Sequence, residues 1–138
     1  MTSNRRKFPM RRQAYSADLK FGPHVYVVTY AFWSVAPHIV LGEVGEVFLA
    51  DRKPTSGLGA SARDALIYAS KALQWGERLE DLVDGSPQSY EGDPESLAAA
   101  ALKCALEDSW HVKIEWARAL AEACGERYGL AGAKDRQQ

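Results

Sequence analysis

The chain has 138 residues, of which 46% are hydrophobic and 25% are charged, and its formal net charge is −1. These values predict one globular domain with its own core rather than two domains. The near-zero charge excludes a general electrostatic attraction to nucleic acid or to acidic membranes. No apolar run reaches the roughly 20 residues of a spanning helix, and the start of the chain lacks the apolar segment of a secretory signal. We therefore expect a cytoplasmic protein.

The histidine and cysteine residues, which often bind metals or take part in catalysis, are scattered along the chain. His24, His38 and His111 show no metal-ligand spacing, and the two cysteines, Cys104 and Cys124, fall in alanine-rich helical sequence. Reduced thiols in a core are the simpler interpretation, and a disulfide scaffold is not indicated. We expect no metal, no cofactor and no catalytic residues, and hence a protein that is not an enzyme.

The first half of the sequence predicts strands. Residues 1–13 are polar and basic, and their apolar residues show no helical or strand periodicity, which indicates a flexible arm. Residues 15–21 alternate between apolar and polar side chains and predict a half-buried strand. Residues 25–33 predict a second strand with no polar face, and residues 43–50 a third. Short connections between them favour an antiparallel meander.

The second half predicts helices. A glycine-bearing turn at 51–59 leads into an amphipathic helix at 61–76, with Ser61 as its N-cap. A short helix follows at 77–83, then one that begins near Asp93 and ends near residue 106, and a last one capped by Asp108 or Ser109. The last helix carries an apolar stripe that comprises Trp110, Ile114, Ala117, Leu120 or Ala121, and Cys124.

The predicted architecture is α+β: a three- to four-stranded antiparallel sheet packed by a central helix, with additional C-terminal helices. Residues 14–128 are expected to form a single domain. Residues 129–138 are expected to form a flexible tail.

The order of these segments resembles a known family. A basic start, two strands, the sequence GEVFLAD, a turn with lysine, serine and glycine, and then ARDALIYASKALQWG resemble the TSCPD domain. That domain occurs at the C-terminus of cobalamin-dependent ribonucleotide reductases and in small stand-alone proteins of bacteria and prophages, and the stand-alone type is the more similar. The resemblance covers roughly residues 4–106 and is most specific over 46–76.

The resemblance implies a strand-and-helix module with a regulatory or nucleotide-associated role. The cysteine-containing motif that names the domain, with its suspected metal-binding role, is absent from this chain. No metal is therefore implied, and the helix from Trp110 onward is an addition to the family pattern.

The basic arm is the strongest electrostatic feature of the sequence. Its cations are Arg5, Arg6, Lys7, Arg11 and Arg12. Such an arm contacts phosphates with an affinity that falls steeply with salt, and it positions a protein without reading base sequence. The alternative is a solubilising disordered tail.

The turn before the central helix is a second candidate. Lys53, Thr55, Ser56 and Arg63 surround a helix N-terminus, where backbone N–H groups can hold a phosphate or a carboxylate. The order of a Walker A loop and the GxGxxG fingerprint are both missing. The alternative is a turn that only connects and caps.

The second predicted strand carries an aromatic row on one side. Tyr26, Tyr30 and Phe32 lie at intervals of four and two residues, so they share one side of the strand and form either a stacking platform for bases or a dimer face. The alternative is a sheet core covered by the C-terminal helices.

Together these features predict a small non-catalytic binding or regulatory module of phage or prophage type. It would engage nucleic acid or a nucleic-acid-handling protein complex, with no membrane partner. One alternative is an accessory or regulatory nucleotide-binding protein linked to ribonucleotide reduction, and another is a structural homodimer.

Overall fold

The structure, a computed structural model, describes residues 5–6, 13–36, 40–51 and 57–127. Its strands come first along the chain and its helices follow, as the α+β prediction requires, and that prediction is confirmed. The elements are β1 (Ala14–Phe21), β2 (His24–Ala36), β3 (Val40–Asp51), α1 (Gly57–Gln74), α2 (Leu79–Asp84) and α3 (Leu97–Arg127).

The sheet is an antiparallel meander in the order β1-β2-β3. Gly22 makes the first turn with a φ of 61°, a backbone conformation that a residue with a side chain rarely adopts. Tyr30 at the middle of β2 is opposite Tyr15 on β1 and Val47 on β3. Strands β2 and β3 are longer than predicted because their pairing continues beyond Ala31 through register shifts.

One face of the sheet forms the core. Tyr26, Tyr30 and Phe32 are 3%, 0% and 2% exposed, and the ring of Tyr15 stacks 6.1 Å from that of Tyr30. The Tyr30 hydroxyl donates a hydrogen bond to Asp108 on α3, which places the first part of that helix over this face. The aromatic row is therefore core, and its rings are accessible neither for base stacking nor as a dimer face.

The open edge of β3 is closed by a side chain rather than by a fourth strand. The Ser70 hydroxyl on α1 accepts a hydrogen bond from the Val47 N–H at 3.0 Å and donates one to the Val47 C=O, also at 3.0 Å. Both backbone groups of Val47 thus point away from β2. A hydroxyl has one donor and two acceptor sites, so Ser70 can satisfy both groups at once.

Helix α1 begins at Gly57, four residues before the predicted N-cap. The prediction of Ser61 as the N-cap is therefore wrong, and the Ser61 side chain is exposed on the helix. The first turn is instead placed against a residue of β3, Asp51, whose contacts are described with the candidate site.

Helix α3 is one helix where the sequence predicts two. Its N-cap is Ser96, whose hydroxyl accepts a hydrogen bond from the Ala99 N–H at 3.1 Å, so the predicted start at Asp93 is wrong. The predicted boundary at Asp108 or Ser109 is also wrong, because the helix runs through both. The chain divides at this point into two compact units, Met1–Asp108 and Ser109–Gln138. The single domain over 14–128 stays a prediction.

Replacement of Ser70 by alanine tests the closure of the β3 edge. Ser70→Ala leaves the N–H and C=O of Val47 buried without partners, so we expect the free energy of unfolding to fall by about 1–3 kcal/mol in urea denaturation. Ser61→Ala is the matched control on the same helix. It should be neutral or slightly stabilising, because alanine favours helix interiors. A loss at Ser61 as large as that at Ser70 would contradict the observed start of α1.

Candidate functional site

The N-terminal end of α1 already holds a carboxylate from the protein itself. Asp51 Oδ1 lies 3.2 Å from Arg63 Nη1, and the Asp51 side chain is 10% exposed. The carboxylate is so close to Gly59 in the first turns that an added Cβ atom there would lie 2.7 Å from Oδ1. Among the described residues Oδ1 makes no hydrogen bond, so its contact with Arg63 is an ion pair without hydrogen-bond alignment.

This arrangement changes the interpretation of the predicted anion site. Arg63 is engaged with Asp51, and the positive end of the helix dipole faces this internal anion. Lys53, Thr55 and Ser56 lie outside the described residues. No described residue therefore supports an external phosphate at this turn.

The C-terminal end of α1 contacts the start of the chain. Arg5 Nε donates a hydrogen bond to Gln74 Oε1 at 2.7 Å, and the Arg6 N–H donates one to the Gln74 C=O at 3.0 Å. The Arg6 guanidinium lies 4.0 Å from the centre of the Trp33 ring, within the range of a cation–π interaction.

Two residues of the predicted flexible arm, Arg5 and Arg6, are thus held against the domain. The prediction that the whole of 1–13 is flexible does not fit these two residues. Their contacts bring positive charge to the last turn of α1, where a cation is favoured by the helix dipole. The other arm residues, Lys7, Arg11 and Arg12, lie outside the described part of the chain.

Helix α1 and the residue directly after it carry exposed aromatic side chains. Tyr68 is 70% exposed and Trp75 is 54% exposed. Lys71 lies between them along the helix, with its Nζ atom 5.9 Å from the centre of the Tyr68 ring. We call Tyr68, Lys71 and Trp75, together with Arg5 and Arg6, which contact Gln74 next to Trp75 in the chain, the basic–aromatic surface.

Sequence reasoning did not find the basic–aromatic surface, although a signal for it exists. Positions 68, 71 and 75 follow the three- and four-residue spacing of one helix face. The opposite face is marked by alanine and leucine, so the aromatic residues had to point outward. The position of the arginines is a tertiary contact that spacing does not show.

Arg78, which follows α1, pairs with two carboxylates. Its Nε atom lies 3.5 Å from Glu43 Oε1 on β3 and 3.5 Å from Glu80 Oε2 on α2. These are surface pairs, which contribute little to stability.

Two titratable groups of the core have shifted pKa values. Burial, together with the hydrogen bond to Asp108, raises the pKa of the Tyr30 phenol far above its ordinary value of 10.0. Burial and the neighbouring carboxylates of Asp108 and Glu107 raise the pKa of the Cys104 thiol from 9.0 to about 11. A raised pKa keeps the thiol protonated at neutral pH and makes it a poor nucleophile.

Within the described ranges, no three histidine, cysteine, aspartate or glutamate side chains are grouped to hold a metal ion. In the same part of the chain, no helix combines the length and apolar character that crossing a bilayer requires.

The chain was compared with protein-family models, with curated proteins and with solved structures, and none of them matches it. The resemblance to the TSCPD domain therefore stays a prediction.

Substitution of Gly59 tests the carboxylate at the start of α1. Gly59→Ala places a methyl group against the Asp51 carboxylate, and we expect the resulting overpacking to lower the free energy of unfolding by about 1–3 kcal/mol. Gly57→Ala is the control in the same helix, because a Cβ atom there meets no other atom within 4 Å. Equal effects of the two substitutions in thermal unfolding would argue against the close approach of Asp51.

The shifted groups predict a loss of stability in alkali. Above pH 9.0 the unfolded chain releases the Cys104 proton while the folded chain retains it. The contribution of Cys104 to the free energy of unfolding is therefore complete below pH 9.0 and is lost as the pH rises through about 11. The buried Tyr30 phenol acts in the same direction above pH 10.0. Cys104→Ser should make the decline in unfolding free energy shallower, with Cys124→Ser as the matched control for loss of a thiol. If the unfolding free energy of Cys104→Ser declined with pH as steeply as that of the wild type, the raised pKa of Cys104 would be contradicted.

Proposed function

We propose that the protein is a non-catalytic module that binds single-stranded nucleic acid through its basic–aromatic surface. One observation carries the proposal. Two exposed rings, Tyr68 on α1 and Trp75 directly after it, follow the same helical spacing as Lys71, and Arg5 and Arg6 contact Gln74, the residue before Trp75. Stacking rings and phosphate-binding cations are the two components from which proteins bind single strands without sequence preference.

The geometry suggests how a strand would be held. Tyr68 and Trp75 are seven residues apart, or about 10 Å along the helix axis. This separation suits two different bases better than one base between two rings. Lys71, between the rings, would lie near the phosphate that links those bases, and the arginines would extend the cationic track beyond Trp75.

A solvated helix face with scattered apolar residues is the alternative, and such residues are normal on protein surfaces. The combination observed here is more specific, because Tyr68, Lys71 and Trp75 follow one helical spacing and Arg5 and Arg6 contact Gln74 in the last turn of α1. The Arg5 and Arg6 backbone and side-chain contacts also fix part of the cationic track before binding, which lowers the entropic cost of association.

Fluorescence anisotropy with a labelled oligothymidine tests the proposal. We expect Trp75→Ala to weaken binding by about 1–3 kcal/mol, the usual contribution of one stacked base. Tyr90→Ala is the matched control, because Tyr90 is a fully exposed aromatic residue in the loop between α2 and α3. Equal affinities of both variants and the wild type, or no binding at low salt, would disprove the proposal.

The salt dependence separates the two components of the surface. For single strands each phosphate contact contributes about 0.7 to the slope of log affinity against log salt concentration. Lys71→Gln should therefore flatten the slope, whereas Trp75→Ala should lower the affinity and leave the slope nearly unchanged. If the oligonucleotide does not bind but a nucleic-acid-handling protein does, the surface serves a protein partner instead.

A further inference from the structure

Strand β1 is an outer strand of the sheet, and one of its long sides is turned away from β2. The sheet order is β1-β2-β3, and among the described residues no strand lies beyond β1. β1 has eight residues, contains no proline and pairs with β2 without a register shift. Short length, proline and bulges are devices that stop an edge strand from pairing with another chain. β1 uses none of these three devices.

The backbone groups that β1 turns outward follow from one hydrogen bond. The Phe32 N–H donates to the Gln13 C=O at 3.2 Å, at the entrance to the β1–β2 pair. In an antiparallel pair, residues that exchange hydrogen bonds alternate along each strand with residues that do not. Since Gln13 bonds to β2, the odd-numbered residues of β1 do so as well. The N–H and C=O groups of Ser16, Asp18 and Lys20 therefore point away from β2.

The two faces of this edge differ in polarity. The side chains of Ser16, Asp18 and Lys20 are exposed, whereas those at positions 15, 17, 19 and 21 are half-buried on the core side. Asp18 and Lys20 are the only charged residues of β1, and they carry opposite charges two positions apart. An acid and a base spaced in this way on one face are complementary to the same strand in the reverse direction.

We propose that β1 pairs with β1 of a second copy of this chain, in an antiparallel register that sets Asp18 opposite Lys20 of the second copy. Two-fold symmetry then sets Lys20 opposite Asp18 of the second copy, so the ion pair forms twice. Opposite charges directly across from each other stabilise paired strands. Asp18 already has a contact within its own chain, and its two carboxylate oxygens can accept a further donor.

The same register suits the backbone and the apolar side chains. Asp18 and Lys20 occupy hydrogen-bonded positions, so each exchanges an N–H and a C=O bond with the residue opposite. On the core side, Leu19 lies opposite Leu19 of the second copy, and Ala17 lies opposite Phe21 of the second copy. The large ring thus meets a small side chain, and the pairing covers more of a face that is half-buried in one copy.

Other registers are disfavoured by the same residues. A shift of two residues sets Asp18 opposite its own copy in one direction and Lys20 opposite its own copy in the other, and both are like-charge contacts. A shift of one residue sets the exposed face of one strand against the core face of the other. A shift of four residues toward the start of β1 sets Ala17 opposite its own copy and leaves both charges opposite neutral residues, Ser16 and Ala14.

Charges on an edge strand can instead prevent pairing, and lysine is a frequent choice for this purpose. Such protection acts through repulsion between like charges or through the cost of removing an unpaired charge from water. In β1 the acid two positions from the lysine cancels both effects in the proposed register. The charges of β1 therefore select one register instead of excluding all of them.

The size of the interface predicts the strength of the dimer. A single strand pair of this length is smaller than the roughly 1,200 Å² at the lower limit of stable complexes. We expect a reversible dimer with a dissociation constant on the order of 10–100 μM.

Sedimentation equilibrium of the full-length protein from about 1 μM to 1 mM tests the pairing, because this range brackets the expected constant. We expect the mass to rise from 15.2 kDa toward twice that value. A wild-type protein that stays monomeric over the whole range would overturn the proposal.

Charge reversal identifies the surface. Asp18→Lys and Lys20→Asp each set like charges opposite each other at both symmetric positions, and each should weaken the dimer by about tenfold. The double variant Asp18→Lys, Lys20→Asp restores opposite charges in the same register and should restore the dimer. Asp64→Lys on α1 is the matched control for reversal of an exposed acid and should leave the dimer intact.

The Lys20→Asp variant keeps the test independent of the contact that Asp18 makes within its own chain. Unchanged dimerisation of Lys20→Asp, or a double variant that associates no more tightly than the single ones, would contradict the proposed pairing.

Cross-linking tests the register. In a Cys104→Ser, Cys124→Ser background, Leu19→Cys brings two thiols directly opposite each other with Cα atoms about 4.5 Å apart, within the range of a disulfide. Ala17→Cys is the matched control, because its two copies are offset by about 13 Å along the strands. Oxidation should link the dimer of Leu19→Cys and not that of Ala17→Cys. A disulfide at position 17, or the absence of one at position 19, would overturn this register.

Discussion

The hydroxyl of Ser70 is the contact on which the arrangement of α1 depends. It bonds to both backbone groups of Val47 and so replaces, at one point, the strand that would otherwise continue the sheet beyond β3. An open strand edge is a liability for aggregation, and a helix that covers it removes that liability. The same contact fixes the rotation of the helix, because a buried serine hydroxyl can meet Val47 from only one side. Tyr68, Lys71 and Trp75 then have to face outward.

The two ends of α1 receive opposite charges from distant parts of the chain. The Asp51 carboxylate lies against the first turns, and Arg5 and Arg6 contact Gln74 in the last turn. This distribution matches the helix dipole at both ends. It also separates the roles of the two ends, since the N-terminal end is filled by an internal anion while the C-terminal end gathers cations beside exposed rings. The proposed nucleic-acid surface follows from this asymmetry.

The strands and the core could be predicted from local pattern. The alternation over 15–21 predicts β1, and the unbroken apolar sequence of β2 predicts a sheet face that another element covers, as α3 does through Asp108 and Tyr30. The helix boundaries could not be predicted in the same way. Asp108 is a good capping residue by local preference, but its carboxylate accepts a hydrogen bond from Tyr30, 78 residues earlier in the chain, and the helix continues through it.

The candidate site depended even more on tertiary contacts. The spacing of Tyr68, Lys71 and Trp75 is visible in the sequence, but their importance depends on the arginines that Gln74 holds nearby. Ser61 is a residue type that often caps helices, yet α1 begins at Gly57, and the negative charge near its first turn comes from Asp51 on β3. In both cases a contact between segments far apart in sequence decides what the local residues do.

The bond between Tyr30 and Asp108 has a consequence for synthesis of the chain on the ribosome. The meander is complete once residue 51 has emerged, but the helix that covers its aromatic face begins only at residue 97. A chain that ends before residue 97 therefore lacks the element that covers Tyr26, Tyr30 and Phe32. Uncovered apolar surface of this kind promotes aggregation of partly folded chains, so completion of the core depends on the part of the chain that is made last.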